Sequence, residues 1–398
     1  MSKRTIVTLP GDGIGRAVLD EAIRVLEAAG FEADHVEGDM GWEFWCNEGN
    51  PLPDRTIQLL EKHKIGLFGA ITSKPKDEAA RELKPELQNK GLVYSSPIVG
   101  LRQHFNLDIC MRPCHSYKGN PLNFVRRGAG GSIEEPLVDV VIFRQNTEGL
   151  YGGVEWSDPP EPVYNALMTH PKFVKNFSRV PKAEVSVSTR IFTKKATKRI
   201  LLEAFSHARK YKYKSVTVCE KPNVIRETSG MMYKMAQEMQ KADFPEIQLW
   251  NTNIDAQMMW LTKNPEDYGV IVAGNMFGDI VSDGFAGLIG GLGFACSAQY
   301  NPDSGIGLFE PTHGSAPKYA DYEVSIVNPI AMIESSCMML DFIGENAMAK
   351  KIRHAVAEVV TEGKVRTYDM MKMRGTPDVV KQGAASTRQM ADEIIAKL

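Results

Sequence analysis

Three features of this 398-residue sequence predict an α/β protein with a substantial parallel sheet. Short apolar runs rich in β-branched residues recur along the chain. Segments with helical spacing of apolar residues lie between them. Polar or glycine-containing segments follow the runs, where open α/β sheets gather their sites. Residues 4–10, RTIVTLP, read as the first buried strand. Over 16–29, Val18, Ala22, Val25, Leu26 and Ala29 fall on one helical face, and Gly30 supplies a stop. Residues 64–70, 138–143, 215–219 and 269–273 read as further strands. Residues 115–137 and 153–187 are rich in Pro, Gly and polar residues and have weak periodicity. The second stretch is too long for a structureless loop in a compact domain, so it is expected to be an arm packed against another body, such as a second subunit.

Composition narrows the function classes. At roughly 150 residues per domain, the length fits two or three domains. Hydrophobic residues make up 43% and charged residues 24%, as in an ordinary soluble enzyme. With 47 Lys and Arg against 49 Asp and Glu, no global field attracts nucleic acid or anionic lipid. No run approaches the roughly 18 apolar residues of a membrane span, and the N-terminal segment enters a strand pattern without a signal-like apolar stretch. Cys46, Cys110, Cys114, Cys219, Cys296 and Cys337 form no CxxC pair and read as reduced thiols, so a cytoplasmic location is expected.

Several segments carry chemistry. Gly11–Gly15 reads GDGIG after a strand; its spacing is not the dinucleotide fingerprint, and a tight turn explains it equally well. Arg102, Arg112 and Arg144 lie near strand ends or turns. Guanidinium forks bind carboxylates bidentately, so three together suit a di- or tricarboxylic acid; three unrelated surface ion pairs are the alternative. Asp279 and Asp283 are four apart and would share one helical face. Two carboxylates there repel unless a cation neutralises them, and oxygen donors without Cys or His indicate Mg²⁺ or Mn²⁺. Asp255 in NTNIDAQ is a third candidate ligand. Tyr151 and Lys221 are the candidate acid–base pair, because neighbouring cations would make each a better acid. In HGSAPKYA, a small-residue turn from His313 through Gly314, Ser315 and Ala316 precedes Lys318 and Tyr319; Tyr368 and Lys372 follow later. Such turns admit a diphosphate, and two lysines with two tyrosines suit a 2′-phosphate.

Taken in order, LPGDGIG, LRQHFNLDICMRP, FRQNTEGLYGGVEW, EKPNV, NIDAQ, GNMFGDIVSDGFAGLIGGLG and FEPTHGSAPKYA resemble the β-decarboxylating dehydrogenases acting on isocitrate, 3-isopropylmalate, homoisocitrate and tartrate or malate. The resemblance runs through nearly the whole chain. It implies a large discontinuous α/β domain (1–107 and 290–398), a small α/β domain (108–148 and 188–289) and a dimer clasp (149–187). It implies that Arg102, Arg112 and Arg144 hold substrate carboxylates, with Ser96 on the distal one. Tyr151 would protonate the enolate and Lys221 would take the hydroxyl proton. Asp255, Asp279 and Asp283 would hold Mg²⁺ or Mn²⁺. Lys221 and Asp255 would serve the other subunit's site in a homodimer. His313 to Tyr319 with Asn328 would line the adenosine site, and Lys318, Tyr319, Tyr368 and Lys372 imply NADP rather than NAD. FRQNTEGLY resembles the isocitrate and homoisocitrate enzymes, and isocitrate is the expected substrate. Ile98 departs from the asparagine usual in bacterial isocitrate enzymes, which leaves room for a more apolar distal group, as in homoisocitrate, 3-isopropylmalate or another 3-substituted malate.

Overall fold

The computed structural model describes residues 3–398. In chain order the first half runs β1 (Arg4–Gly11), α1 (Gly15–Ala28), β2 (Ala33–Glu37), α2 (Trp42–Glu48), α3 (Asp54–His63), β3 (Ile65–Ala70), α4 (Lys76–Arg81), α5 (Pro97–His104), β4 (Ile109–His115), β5 (Arg126–Arg127), β6 (Ile133–Glu134), β7 (Asp139–Gln145), β8 (Glu155–Ser157), α6 (Glu161–Leu167), α7 (Pro171–Phe177) and β9 (Ser186–Ser188). The second half runs α8 (Lys194–Tyr211), β10 (Ser215–Glu220), α9 (Thr228–Asp243), β11 (Gln248–Asn253), α10 (Ile254–Trp260), β12 (Val270–Ala273), α11 (Asn275–Leu288), β13 (Cys296–Asn301), β14 (Ile306–Pro311), α12 (Ile330–Phe342), α13 (Asn346–Glu362) and α14 (Thr387–Ala396).

Ten strands form one mixed sheet in the order β11-β10-β12-β7-β4-β13-β14-β3-β1-β2. Both arms are parallel, as the apolar runs predict, but β4 is antiparallel to both β7 and β13, and β13 is antiparallel to β14. The central strands are buried on both faces, which explains their continuous apolar character: β3, β10, β12 and β14 are buried at every position. Helices α1, α11, α12, α13 and α14 supply side chains to the largest apolar cluster, including Val18, Phe285, Ile333 and Val356. A second cluster joins α8 and α9 to β7, β10 and β12 through Phe205, Met232 and Phe143. A third packs α3 and α5 against β1, β3 and β14.

The weakly periodic stretch at 153–187 is not a coil. β8 and β9 pair as an antiparallel ribbon, and α6 and α7 lie between them with no buried residue in either helix. Residues 126–134 form a second small ribbon from β5 and β6. These elements were invisible to periodicity because strands of two or three residues bury too little to imprint an alternation.

Candidate active site

Sheet register places the arginines. Arg144 on β7 stands opposite Cys110 on β4, so Arg112, two residues along β4, is its diagonal neighbour on the same face. Gln299 on β13 is also opposite Cys110, and Glu310 on β14 is opposite Ser297. This row of polar side chains lies within the sheet and is 8% exposed or less: Arg112 8%, Arg144 2%, Gln299 0% and Glu310 7%.

α11 crosses over this row. Its first residue, Asn275, and the positions four, seven and eight further on, Asp279, Ser282 and Asp283, fall on one face. Arg144 Nε donates to Asn275 Oδ1 at 2.9 Å, and its terminal nitrogen pairs closely with Asp279. Arg112 donates to Ser282 Oγ at 2.8 Å, Asp279 Oδ1 at 3.1 Å and Asp283 Oδ1 at 3.4 Å. Burial, reinforced by the adjacent Arg112 charge, brings the Arg144 guanidinium down to about 10. Burial also raises the Asp283 carboxyl, against the pull of Arg112. Arg112 Nε is buried without a hydrogen-bond partner. An unpaired donor on a buried arginine suits an incoming carboxylate.

Arg102 on α5 reaches the β13–β14 end of the same row. It donates to Gln299 and lies 3.4 Å from Glu310, while Asn146 donates to Gln299 Oε1 at 2.8 Å. Tyr151 sits in the turn Leu150–Gly152, with its ring centroid 5.7 Å from the Arg144 guanidinium carbon and its side chain exposed. A cavity of about 390 Å³ opens between these groups, walled by Val99, Arg102, Gln103, Arg144, Leu150 and Tyr151. Ser96 takes the N-cap position of α5 rather than the cavity wall, and makes no capping hydrogen bond.

Ile98 requires a correction. Its side chain does not face the cavity but packs with Val7, Leu9, Leu101 and Leu308 in the core. The helical turn begun at Pro97 rotates Val99 and Arg102 toward the cavity instead, since positions three apart share a face and adjacent ones do not.

Lys221 and Asp255 are placed elsewhere. Lys221 follows β10, Asp255 opens α10 after the adjacent β11, and the two side chains form an ion pair that holds the Asp255 carboxyl below its ordinary range. Within one chain, then, two of the three aspartates meet over the arginines and the third pairs with the lysine. Among the described residues no three acidic, His or Cys side chains converge as a complete metal cage. Asp279 and Asp283, all-oxygen donors held against cations on one helix face, fit part of a site for a hard divalent ion.

A second polar region lies past β1, β3 and β14. The GDGIG turn is gripped by Asp12, whose carboxylate accepts from the backbone N–H of Trp42 at 2.6 Å and Thr72 at 2.7 Å. Ile14 N–H donates to Ser315 O at 3.0 Å, which brings this turn onto the 313–316 turn; Gly13 has φ of +55° and no space for a Cβ beside Ser315. His313 Nδ1 lies 3.0 Å from Gly314 O, burial keeps its imidazole below the ordinary range, and its Nε2 is buried without a partner. Lys318 Nζ lies 4.5 Å from the Tyr319 ring centroid, and its hydrogen bond lowers the Tyr319 phenol. The Tyr319 and Tyr368 rings are 5.5 Å apart. Arg374, not anticipated from sequence, adds positive charge near Tyr319, and Lys372 takes a left-handed backbone conformation at φ +56°. Asn328 is engaged locally, donating to Asp369 Oδ2 and accepting from Ile330 N–H. The orphaned His313 nitrogen and the two apposed small-residue turns fit a dinucleotide phosphate and ring.

The model of the isocitrate/isopropylmalate dehydrogenase family matches residues 5–394. The chain belongs to this family. It is 35% identical over 390 residues to the homoisocitrate dehydrogenase of Methanocaldococcus jannaschii, covering 98% of this chain and 96% of that protein. It is 38% identical to protein DlpA of Legionella pneumophila over 98% of this chain, which spans 58% of the length of DlpA. The crystal structure of isocitrate dehydrogenase from Methylococcus capsulatus superposes with a TM-score of 0.78 at 33% identity, covering 99% of both chains. The discontinuous mixed α/β fold of this family is therefore the fold of this chain.

Gln299 lies outside every motif named from the sequence and stands within β13; only sheet register and burial bring it to Arg102 and Asn146. Asn275, Asn146, Glu310 and Asp12 fall inside those motifs, but their parts in the site come from register and burial.

Proposed function

We propose that this protein oxidises the 2-hydroxyl of a 3-substituted malate with NADP and releases the 3-carboxylate as CO₂. The observation that carries the reading is the buried arginine row facing two carboxylates on α11, beside a tyrosine and a cavity walled in part by Arg102 and Arg144. Arg102, Arg112 and Arg144 orient the carboxylates of the substrate and exclude water from them. Asp279 and Asp283 would hold Mg²⁺ or Mn²⁺, with Asp255 from a second copy completing the set. When bound, the divalent ion supplies charge stabilisation for oxygen and the nicotinamide accepts hydride from C2. Lys221, also from the second copy, takes the hydroxyl proton. The C3–carboxylate bond then breaks, and Tyr151 returns a proton to C3. Ser96 on α5 would reach the distal group only through a shift of that helix start.

The homodimer is supported by exposed apolar side chains on the elements that carry these residues: Met259 and Trp260 on α10, Ile280 on α11, and Val224 just past Lys221. The sheet's two arms support the division into 1–107 with 290–398, 108–148 with 188–289, and a clasp at 149–187. Lys318, Tyr319, Tyr368 and Lys372 would bind the 2′-phosphate that distinguishes NADP from NAD, and His313, Gly314, Ser315, Ala316 and Asn328 the adenosine.

Substrate choice departs from the isocitrate expectation. Val99 and Leu150 on the cavity wall favour homoisocitrate, 3-isopropylmalate or a related 3-alkylmalate. Among the relatives, the homoisocitrate enzyme and the 3-isopropylmalate dehydrogenase of Methanothermobacter thermautotrophicus, 33% identical over all of this chain, accord with this reading, while the isocitrate dehydrogenase of Methylococcus capsulatus, also 33% identical, accords with isocitrate. A steady-state panel of these acids with NADP, NAD and Mn²⁺ tests the reading. The expected order places a 3-alkylmalate or homoisocitrate at least about tenfold above isocitrate in kcat/KM, the scale of one or two buried methylenes. Isocitrate preferred by that margin overturns the substrate assignment; no oxidation of any member overturns the reaction.

A further inference from the structure

Glu220 is the residue immediately before Lys221, and it is fully buried (0% exposed) without any part in the proposed chemistry. Its carboxylate is saturated by three donors from three segments. Oε1 accepts from Gly274 N–H, at the start of α11, at 2.7 Å. Oε2 accepts from Ser229 Oγ on α9 at 2.5 Å and from the Arg190 guanidinium at 2.7 Å. Ser229 Oγ in turn accepts from Arg190 at 2.9 Å and from Lys221 N–H at 3.4 Å. The guanidinium lies between two rings, Phe192 at 4.4 Å and Phe277, itself on α11, at 5.1 Å. Gly274 makes the approach possible: a Cβ there would stand 2.6 Å from Glu220 Oε1 and 2.5 Å from Phe192.

We infer that Glu220, locked by Arg190 and Ser229, is a positioning residue that fixes the Lys221 backbone relative to the start of α11. The inference rests on the reading of Lys221 as base and of α11 as the metal-bearing helix. Its geometric basis is that one carboxylate joins both elements, at its two oxygens, through hydrogen bonds that a surface ion pair would not maintain. Because Lys221 would serve the neighbouring copy while Asp279 and Asp283 serve their own, Glu220 sets the relative placement of catalytic groups belonging to two different sites of the dimer. Displacement of a reacting group by about an ångström costs on the order of a hundredfold in rate, so a lost anchor should appear in kcat.

Two variants of the full-length protein test this. Glu220→Gln preserves shape but presents an amide N–H₂ to donors already pointing at it. Ser229→Ala removes the link to Lys221 N–H while sparing the Gly274 bond. For folded Glu220→Gln, at saturating Mn²⁺, kcat is expected to fall about tenfold or more while KM for the hydroxy acid stays within about twofold. Its Mn²⁺ dissociation constant, read by electron paramagnetic resonance with hydroxy acid present and nicotinamide absent, should rise about threefold. Ser229→Ala should lower kcat with Mn²⁺ affinity unchanged. Folded variants with wild-type kcat and wild-type Mn²⁺ affinity overturn the inference, leaving Glu220 a stability element; if Glu220→Gln does not fold, the kcat of Ser229→Ala decides alone. A wild-type protein that oxidises no hydroxy acid at saturating Mn²⁺ fails the parent reading instead, while the Mn²⁺ titration still reports on Glu220.

Discussion

At Arg144, burial opposes the charge and Asp279 supports it. With its side chain 3% exposed, the guanidinium survives because Asp279 and Asn275 occupy its donors. Removing the substrate-facing partners should therefore be costly one at a time. Arg102→Ala is expected to reduce kcat/KM by about 30- to 150-fold, the worth of one charge-assisted contact; retention of wild-type kcat/KM removes Arg102 from substrate binding. Tyr151→Phe and Lys221→Met should each lower kcat by about 10²–10⁴ with the fold intact, as expected for general acid–base groups. Near-normal turnover in both would sink their assignment. In the second polar region, Lys318→Asp should lower kcat/KM for NADP about 10- to 100-fold and leave NAD within about threefold. An unchanged NADP preference would place the 2′-phosphate elsewhere.

Helix α11 concentrates the demands on a single element. It begins at a glycine that admits Glu220, carries Asn275, Asp279, Ser282 and Asp283 on one face, and lets Gly278 lie directly on Arg144. A Cβ at Gly278 would meet Arg144 Cβ at 2.7 Å and Cγ at 2.8 Å. Alanine in place of glycine gains about 1 kcal/mol of helix propensity, but overpacking against a buried arginine stem costs about 1–3 kcal/mol. The second effect should win: Gly278→Ala is expected to lower the melting temperature and raise KM together, through displacement of Arg144. A raised melting temperature would show that the helix can move away. The site elements were legible unequally. The helical DxxxD spacing appeared in the sequence because a helix face is a local property. The Ile98 error arose at the same level: motif spacing assigned a residue to the site, whereas the phase of a helix starting at Pro97 assigned its neighbour, Val99.

For the whole molecule, assembly and pH are the levers. Replacing Trp260 and Ile280 together by Asp should shift the protein to a monomer by size-exclusion chromatography and abolish turnover, because Lys221 and Asp255 would then have no partner site. An active monomer would refute the shared arrangement. On the sheet face opposite the arginines, His207 of α8 packs against Phe143 and Tyr211 at centroid distances of 5.2 and 4.4 Å. Burial holds its imidazole down to about 4, with Lys210 adding to the shift. The unfolded chain then binds a proton that the native state refuses, so the contribution is complete above about pH 6.5 and is lost as pH falls toward 4. His207→Phe should remove about 1–2 kcal/mol of that acid-side loss, seen as a flatter melting temperature from pH 6.5 to 4.5. An unchanged slope would assign the acid sensitivity to other groups. No helix among the described residues is long and apolar enough to cross a membrane.

From the amino-acid order alone came the α/β class, five of the ten strands of the main sheet, the family resemblance and the candidate arginines, carboxylates, tyrosine and lysine. These are properties of local periodicity and of short ordered motifs, which a linear chain displays directly. Tertiary structure decided the rest: that β4 and β13 run against their neighbours, that Arg112 and Arg144 are diagonal partners under α11, that Asp255 leaves the other aspartates for Lys221, and that Glu220 ties two elements 54 residues apart. Pairing register, helix phase and burial are set by which distant segments exclude water from one another, and that choice belongs to no short stretch of sequence.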